Sequence, residues 1–266
     1  NIALGYQASE QGTTASANVA IGYESLRYNL TSPHNVAIGT WAGRSITSDR
    51  NTALGAFTLE NPSANATGPN TAVGFISLGG IVGGNNTAVG VQTGANLTGD
   101  NNTVMGHVAC SKRLTGHNNV ILGANSLSAT GATGTNIPAR IASYNTTVGT
   151  NTLKTIESGN FNVAIGYDAL ADSTGCEQNV AIGPYSLKEN NRWSNVSIGP
   201  YAMRSNTTGV ENVAIGPYAL STKTTGDGNI GIGYSALPST SGNKNIGIGF
   251  LAGNNYNANS DNIILG

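Results

Sequence analysis

Apolar and polar residues follow one short pattern along the whole chain. A five-residue phrase, Asn, two further residues, an aliphatic residue and Gly, occurs sixteen times. Its second residue is Ile, Val or Thr, and its third is small in most copies. Alternation with β-branched residues is typical of a strand. A turn rich in Thr, Ser, Gly and Asn follows each phrase, so the pattern predicts sixteen short strands. The phrase asparagines are Asn1, Asn18, Asn35, Asn51, Asn70, Asn86, Asn102, Asn119, Asn145, Asn162, Asn179, Asn195, Asn212, Asn229, Asn245 and Asn262.

The spacing of the phrases predicts how the strands are arranged. Thirteen of the fifteen intervals are 16 or 17 residues, and the exceptions are 19 (Asn51 to Asn70) and 26 (Asn119 to Asn145). A fixed short period indicates a solenoid, in which each repeat is one coil that stacks on its neighbours. We therefore expect an all-β fold, a parallel β-solenoid (β-roll) of about 16 coils. It would be one domain over residues 1–266, with an irregular insertion at 124–144.

Two positions in each coil are candidates for the core. The fourth residue of the phrase is large and aliphatic in every copy, from Leu4 to Leu265, which predicts the core ladder. The small third residue, such as Ala164, predicts close approach of another surface, either the rest of the coil or another chain. Leu four residues after the glycine, as at Leu170, predicts a second buried contact. Two large side chains, worth roughly 1.5–3 kcal/mol each, hardly offset the ordering entropy of a coil, so we expect association into an oligomer.

The asparagine and the glycine of the phrase are predicted to be structural. Stacked asparagines can form an amide ladder along the axis or close a turn by bonding their own backbone. The glycine can turn a corner at positive φ or allow tight backbone packing.

Composition narrows the classes of partner. Charged residues make up 9% of the chain and the net charge is -1, so no basic surface for nucleic acid is expected. No apolar run of about 20 residues occurs, so no membrane insertion is expected. His34, His107 and His117 lack metal-ligand spacing, and no cofactor motif or catalytic grouping is legible, so we predict no metal, no cofactor and no enzyme. Cys110 and Cys176 lie three coils apart, too far for a disulfide.

Two phrases carry a resemblance to known families. Asn-Val-Ala-Ile-Gly-Tyr-Asp-Ala-Leu from Asn162 and Asn-Val-Ala-Ile-Gly-Tyr-Glu-Ser-Leu from Asn18 resemble the head repeat of trimeric autotransporter adhesins and the repeats of bacteriophage tail fibres. The resemblance implies a homotrimer of left-handed β-rolls outside a cell or on a virion, continued by further fibre domains. It also implies attachment to a host surface glycan or surface protein. The coil is longer than the adhesin repeat, and the choice between a virion tail fibre and a bacterial cell-surface fibre stays open.

The strongest candidate binding residues are three tyrosines in one register. Tyr185, Tyr201 and Tyr218 each follow a Gly-Pro pair, which predicts a ladder with a spacing of about 4.8 Å. Such a row can stack on sugar rings, or it can simply pack between coils. Trp193 and Arg192 lie in a turn of the same region and are included as candidates.

Other candidates depend on isolated residues. Trp41 follows Gly39 in a loop, and Arg140 lies in the 124–144 insertion. Asp172 and Glu189 in adjacent coils could form the acid pair of a glycan-degrading tailspike. Alternatives to adhesion are therefore a passive fibre shaft with binding elsewhere, that tailspike, and an ice- or crystal-binding solenoid. The last would need regular Thr-x-Thr ranks that these turns do not provide.

Overall fold

The computed structural model describes two compact units, Asn1–Ile141 and Ala142–Gly266. The described residues are 1–60, 68–80, 83–112, 114–128, 141–222, 225–254 and 260–266. Each unit is a stack of coils with its own interior. The prediction of one domain across both units stays a prediction.

Each coil contributes one strand of three residues. The first unit holds β1 (Ile2–Leu4), β2 (Val19–Ile21), β3 (Val36–Ile38), β4 (Thr52–Leu54), β5 (Thr71–Val73), β6 (Thr87–Val89), β7 (Thr103–Met105) and β8 (Val120–Leu122). The second holds β9 (Thr146–Val148), β10 (Val163–Ile165), β11 (Val180–Ile182), β12 (Val196–Ile198), β13 (Val213–Ile215), β14 (Ile230–Ile232), β15 (Ile246–Ile248) and β16 (Ile263–Leu265).

The strands within each unit pair in parallel with the next strand along the chain. Equivalent residues stay opposite one another: Val163 pairs with Val180, Ala164 with Ala181 and Ile165 with Ile182. The all-β parallel solenoid is therefore confirmed, with one coil per phrase. The described residues form no helix, so none of them belongs to a helix that could cross a membrane.

The small third residue of the phrase faces the inside of the coil, and the large fourth residue faces outward. In β2–β15 the middle residue of every strand is buried. The fourth residue is half-buried or exposed in every copy, as at Ile198 and Ile215, which are 37% and 38% exposed. The prediction that the fourth position is the core ladder was wrong. The small third position approaches the rest of its own coil.

The size of the interior explains this orientation. A Cβ added at Gly231 would lie 3.1 Å from Cγ of Leu220, and one added at Gly247 would lie 2.6 Å from Cγ of Leu237. In most coils a leucine lies four residues after the glycine, and at Leu220 and Leu237 it fills the space beneath the third position of the next phrase. Only Gly, Ala, Ser or a similarly compact residue fits opposite such a leucine, whereas the second and fourth residues point together to the other face.

The leucine column, predicted as the second buried contact of each coil, is the main source of large buried side chains. Leu153, Leu170 and Leu187 are fully buried. Where this position is Gly43, Ile46 supplies the missing volume, and a Cβ at Gly43 would lie 2.6 Å from Cδ1 of Ile46. The interior thus keeps its volume although the pattern changes.

The phrase asparagine performs both predicted roles at once. Asn195 Nδ2 donates to the carbonyl of Gly209, 14 residues further along, and so closes its own coil at 3.0 Å. Its Oδ1 accepts the backbone N–H of Asn212 in the next coil at 3.0 Å. The same pair of bonds recurs through both units, for example at Asn86. A buried polar group without a hydrogen-bond partner costs free energy, which explains why every copy of the phrase has an asparagine that can make these bonds.

The phrase glycine is required by both backbone conformation and space. Gly199 has φ +134°, and a Cβ there would lie 2.7 Å from both C and O of Gly216 in the next coil. No side chain fits at that distance, so the glycines stack directly on one another.

Candidate functional site

Tyr185, Tyr201 and Tyr218 form the predicted ladder. The centroids of Tyr185 and Tyr201 are 4.9 Å apart, those of Tyr201 and Tyr218 are 5.0 Å apart, and the ring planes differ by 14° and 2°. All three residues have φ of 58–59°. Predictions of spacing and of a shared loop shape are confirmed. The rings pack on one another, and ligand binding by them stays a prediction.

Backbone hydrogen bonds hold the three rings in register. The N–H of Tyr201 donates to the carbonyl of Pro184 at 2.9 Å, and that of Tyr218 donates to Pro200 at 3.0 Å. In neighbouring coils the residue directly after the glycine, such as Tyr167, donates no backbone hydrogen bond among the described residues. Proline has no N–H to donate, so it can occupy this position without the loss of a backbone hydrogen bond.

The aromatic column is longer than the sequence analysis predicted. Tyr167 precedes the three rings, and Tyr234 and Phe250 follow them. Tyr167 lies edge-on to Tyr185 at 5.4 Å, and Tyr218 lies edge-on to Tyr234 at 5.9 Å. Tyr234 and Phe250 stack at 5.4 Å. We name these six residues the aromatic column. Aligning every coil on its glycine, and accepting an aromatic residue at either of the next two positions, would have revealed it.

Stacked and edge-on contacts follow from the position of the ring in its coil. Tyr167, Tyr234 and Phe250 come directly after the glycine, whereas the ladder tyrosines come one residue later, after proline. Within the aromatic column, rings at the same position stack, and rings at different positions meet at a large angle. The sequence therefore determines where the column changes geometry.

Cationic side chains lie beside two of the rings. Lys188 Nζ is 5.9 Å from the centroid of Tyr185, and Arg204 Cζ is 5.9 Å from that of Tyr201. Lys188 also pairs with Asp172 at 3.4 Å. Burial among these neighbours raises the pKa of Tyr185, and the nearby Tyr167 and Tyr201 raise it further. The column is thus partly covered on the side of Tyr185 and Tyr201.

Trp193 and Arg192 contact each other rather than the ladder. Arg192 Cζ lies 5.7 Å from the Trp193 ring centroid, and the indole is exposed. Their carbonyls accept hydrogen bonds from phrase asparagines, Arg192 from Asn179 at 2.7 Å and Trp193 from Asn195 at 3.2 Å. This turn is held by the scaffold, with Trp193 exposed and Arg192 half-buried.

Trp41 belongs to a cluster of charged and aromatic side chains in the first unit. Arg44 Cζ lies 4.6 Å from the Trp41 ring centroid and 5.1 Å from that of Tyr28. Arg44 and Arg27 both pair with Glu24, at 2.8 and 3.1 Å. The sequence analysis identified the tryptophan alone, because the charged residues are dispersed along the chain.

The charges of this cluster balance one another. Burial of Glu24 opposes ionisation, but the ion pairs with Arg27 and Arg44 outweigh it and hold the pKa of the carboxyl below its usual value. Trp41 Nε1 is buried and has no hydrogen-bond partner among the described residues. Trp41 also contacts Phe57 edge-on at 5.4 Å. These contacts rigidify the corner of the first unit.

Only some of the remaining candidate residues lie in the part of the chain that the structure describes. Arg140 and most of the 124–144 insertion lie outside them. Ile141 and Tyr144, at the end of the insertion, are exposed, as is Phe161, and the rings of Tyr144 and Phe161 stack at 4.9 Å. The described residues contain no group of three His, Cys, Asp or Glu side chains that could hold a metal ion. Cys110 and Cys176 are both buried, and no disulfide joins them.

A second surface is the outward face of the sheet. In β10–β15 the fourth residue of the phrase is isoleucine in every strand, and the second is valine or isoleucine. None of these side chains is buried within the chain. The second unit thus presents a continuous face of β-branched aliphatic side chains, which we name the aliphatic face.

A scan of protein-family models, a search of curated proteins and a search of solved structures each gave no significant match to this chain.

Proposed function

We propose that this chain is a structural and adhesive fibre segment that assembles as a homotrimer and attaches its carrier to a host cell surface, with glycans as the target. It acts outside the cell, on a virion tail fibre or a bacterial cell-surface fibre. Further fibre domains flank it.

The observation that carries the proposal is the aliphatic face. Six adjacent strands, β10–β15, expose two columns of Val and Ile. Contiguous apolar surface of this kind marks an interaction site in a soluble protein. The leucine column supplies most of the large buried side chains, and burial of this outer face would add to the stability that a single chain reaches.

Copies of the same chain are the partner that fits this face best. Its columns repeat in strict register, as Ile198 opposite Ile215 shows, so an identical face matches it at every coil. The number three rests on the resemblance of the Val-Ala-Ile-Gly phrases to trimeric adhesin heads and phage fibres.

The aromatic column supports the attachment role. Tyr218, Tyr234 and Phe250 are exposed in the second unit. Three copies of the column in a trimer would multiply weak contacts with a surface polymer. A row of aromatic side chains suits carbohydrate because the rings provide rigid apolar area with polar edges.

No observation favours the glycan-degrading tailspike. Asp172, one member of the hypothetical acid pair, has Lys188 at 3.4 Å as its ion-pair partner. The competing hypothesis is a passive fibre shaft, which would form the same homotrimer but would not bind a host glycan.

Light scattering on a sizing column tests the assembly. We expect a mass about three times the chain mass of 27.0 kDa. Replacing Ile198 and Ile215 together by Lys should lower the mass, whereas Thr208→Lys in an exposed turn is the matched control and should leave it unchanged. A single-chain mass for the unaltered protein would overturn the homotrimer.

A glycan array tests attachment. The unaltered segment should bind a subset of glycans, with weaker binding by the double-lysine variant because avidity is lost. A properly assembled trimer that binds no glycan and no host cell would replace the adhesive proposal by the passive shaft.

A further inference from the structure

The stacked tyrosines have little ring face left for a ligand. Tyr201 has Tyr185 against one face and Tyr218 against the other, at 4.9 and 5.0 Å. Sugar rings bind aromatic side chains through their faces. The middle of the ladder therefore offers ring edges and hydroxyl groups, and any stacking site must lie elsewhere in the aromatic column.

Free ring surface begins at Tyr218. Lys188 and Arg204 lie beside Tyr185 and Tyr201, each three residues after its tyrosine. The equivalent residue after Tyr218 is Ser221, which is too short to reach over the ring. Consistent with this, Tyr218 is 42% exposed, whereas Tyr185 and Tyr201 are half-buried.

The change of register after Tyr218 opens a corner between two rings. Tyr218 and Tyr234 meet at 67° with centroids 5.9 Å apart. Tyr234 is 45% exposed, and Phe250, stacked on it, is 67% exposed. Two rings at a large angle provide a face and an edge to one ligand, and the third ring extends the surface along the stack of coils.

A cation without a carboxylate partner lies within one coil of this corner. Arg204 is exposed, and none of the ion pairs among the described residues includes it. Lys188, one coil earlier, is neutralised by Asp172. The coil of Arg204 bonds directly to that of Ser221, through Ser205 N and Ser221 O at 3.3 Å. A guanidinium group is well suited to a carboxylate.

We propose that Tyr218, Tyr234, Phe250 and Arg204 form a binding site for an acidic polysaccharide that lies along the stack of coils. The proposal rests on the attachment function and specifies its ligand class. The aromatic rings take the sugar rings, and Arg204 takes a carboxylate. Successive rings of the column, 5.0–5.9 Å apart, follow the repeat of the coils, so an extended chain contacts several coils at once.

Single-stranded nucleic acid, the other polymer that combines rings with negative charge, fits less well. In residues 142–266, Asp and Glu outnumber Lys and Arg by eight to six. A polymer with a charge on every unit would be repelled by such a surface, since nucleic-acid affinity depends on neutralising phosphates. A polysaccharide with fewer carboxylates needs only the local cation.

The test uses the full chain, a polyuronate oligosaccharide as probe, and the same oligosaccharide with its carboxyl groups reduced to alcohols. We expect calorimetry to show binding of the polyuronate that weakens with added salt, and weaker binding of the reduced probe. Tyr234→Ala should weaken polyuronate binding about tenfold. Arg204→Ala should reduce it to the level of the reduced probe, and Arg204→Lys should restore part of it.

The control variant is Tyr6→Ala, which removes an exposed ring at the equivalent position of the first unit. It should bind as the unaltered protein does, and circular dichroism checks that each variant folds. Equal binding of both probes would overturn the assignment of an acidic ligand. Binding by the unaltered protein that neither Tyr234→Ala nor Arg204→Ala changes would overturn the site while leaving the attachment function intact.

Absence of polyuronate binding would overturn this inference alone if the glycan array finds other ligands. Absence of any glycan binding would overturn the attachment function with it. Preferential binding of single-stranded oligo(dT), lost in Tyr234→Ala, would reassign the site to nucleic acid.

Discussion

Removal of the Asn195 side chain is the sharpest test of how the coils are held together. Asn195 is fully buried. It donates to Gly209 O at 3.0 Å and accepts from Asn212 N at 3.0 Å. Asn195→Ala leaves the buried N–H of Asn212 without its acceptor, whereas the carbonyl of Gly209 keeps a second donor, Asn206 Nδ2, at 3.0 Å. One unsatisfied buried N–H costs about 1–3 kcal/mol, so we expect a loss of about 1–3 kcal/mol in the free energy of unfolding.

The aspartate variant separates hydrogen bonding from volume. Asn195→Asp keeps the size and the acceptor of the side chain, but its second oxygen faces the carbonyls of Gly209 and Trp193, which also cannot donate. Burial and these carbonyls raise the folded-state pKa of the new carboxyl above its unfolded value of about 3.9. The variant is therefore closest to the unaltered protein below pH about 4 and loses stability as the pH rises.

Asn243 provides a matched control. Its Oδ1 also accepts a backbone N–H from a neighbouring coil, that of Asp227 at 2.8 Å, but its side chain is exposed, so water can replace it. Urea unfolding at fixed protein concentration should show a loss for Asn243→Ala well below that for Asn195→Ala. Hydrogen exchange should accelerate at Asn212. Equal losses at the two sites, or a loss below about 1 kcal/mol for Asn195→Ala, would refute the reasoning.

Three further predictions follow from the packing. Gly199→Ala should lower the free energy of unfolding in urea by more than about 3 kcal/mol, because its Cβ meets the next coil. Gly228→Ala is the control: Gly228 has φ +65° and no atom nearer than 3.6 Å to an added Cβ, so the loss should be only about 1–2 kcal/mol. Similar losses at the two sites would contradict the account of the glycine column. Leu220→Ala should cost about 2–5 kcal/mol at any protein concentration, whereas the effect of Ile215→Ala should vary with concentration if the aliphatic face joins chains. Burial raises the pKa of Cys176 to about 12, so a thiol reagent at pH 8 should label it only after unfolding, and rapid labelling of the folded chain would contradict its burial.

The strands and their pairing could be predicted from the sequence because one physical requirement recurs in every coil. Each coil needs a buried amide that closes the coil and bonds the next one, as Asn195 does, and a residue without Cβ where backbones touch, as at Gly199. Neither requirement tolerates substitution, so both residues mark the period. Parallel pairing follows because successive coils repeat the same path.

The direction in which the strands face could not be predicted in this way. Alternation shows that Val213 and Ile215 share one side and that Ala214 lies on the other, but it does not show which side is the interior. Hydrophobicity alone favoured the larger residues. The deciding quantity was volume, because Leu220 already fills the space beneath the strand, as the 3.1 Å approach of a Cβ at Gly231 shows.

The same reasoning explains why the aromatic column was only partly visible in the sequence. Tyr185, Tyr201 and Tyr218 stood out because a repeated proline accompanies them, whereas Tyr234 and Phe250 occupy a different place in their coils. Stacking depends on the register of rings in neighbouring coils, which is a property of pairs rather than of a motif. Because the interior admits so few side chains, variation is confined to the outward corners. Irregular aromatic and charged residues at those corners are therefore the best guide to what the protein contacts.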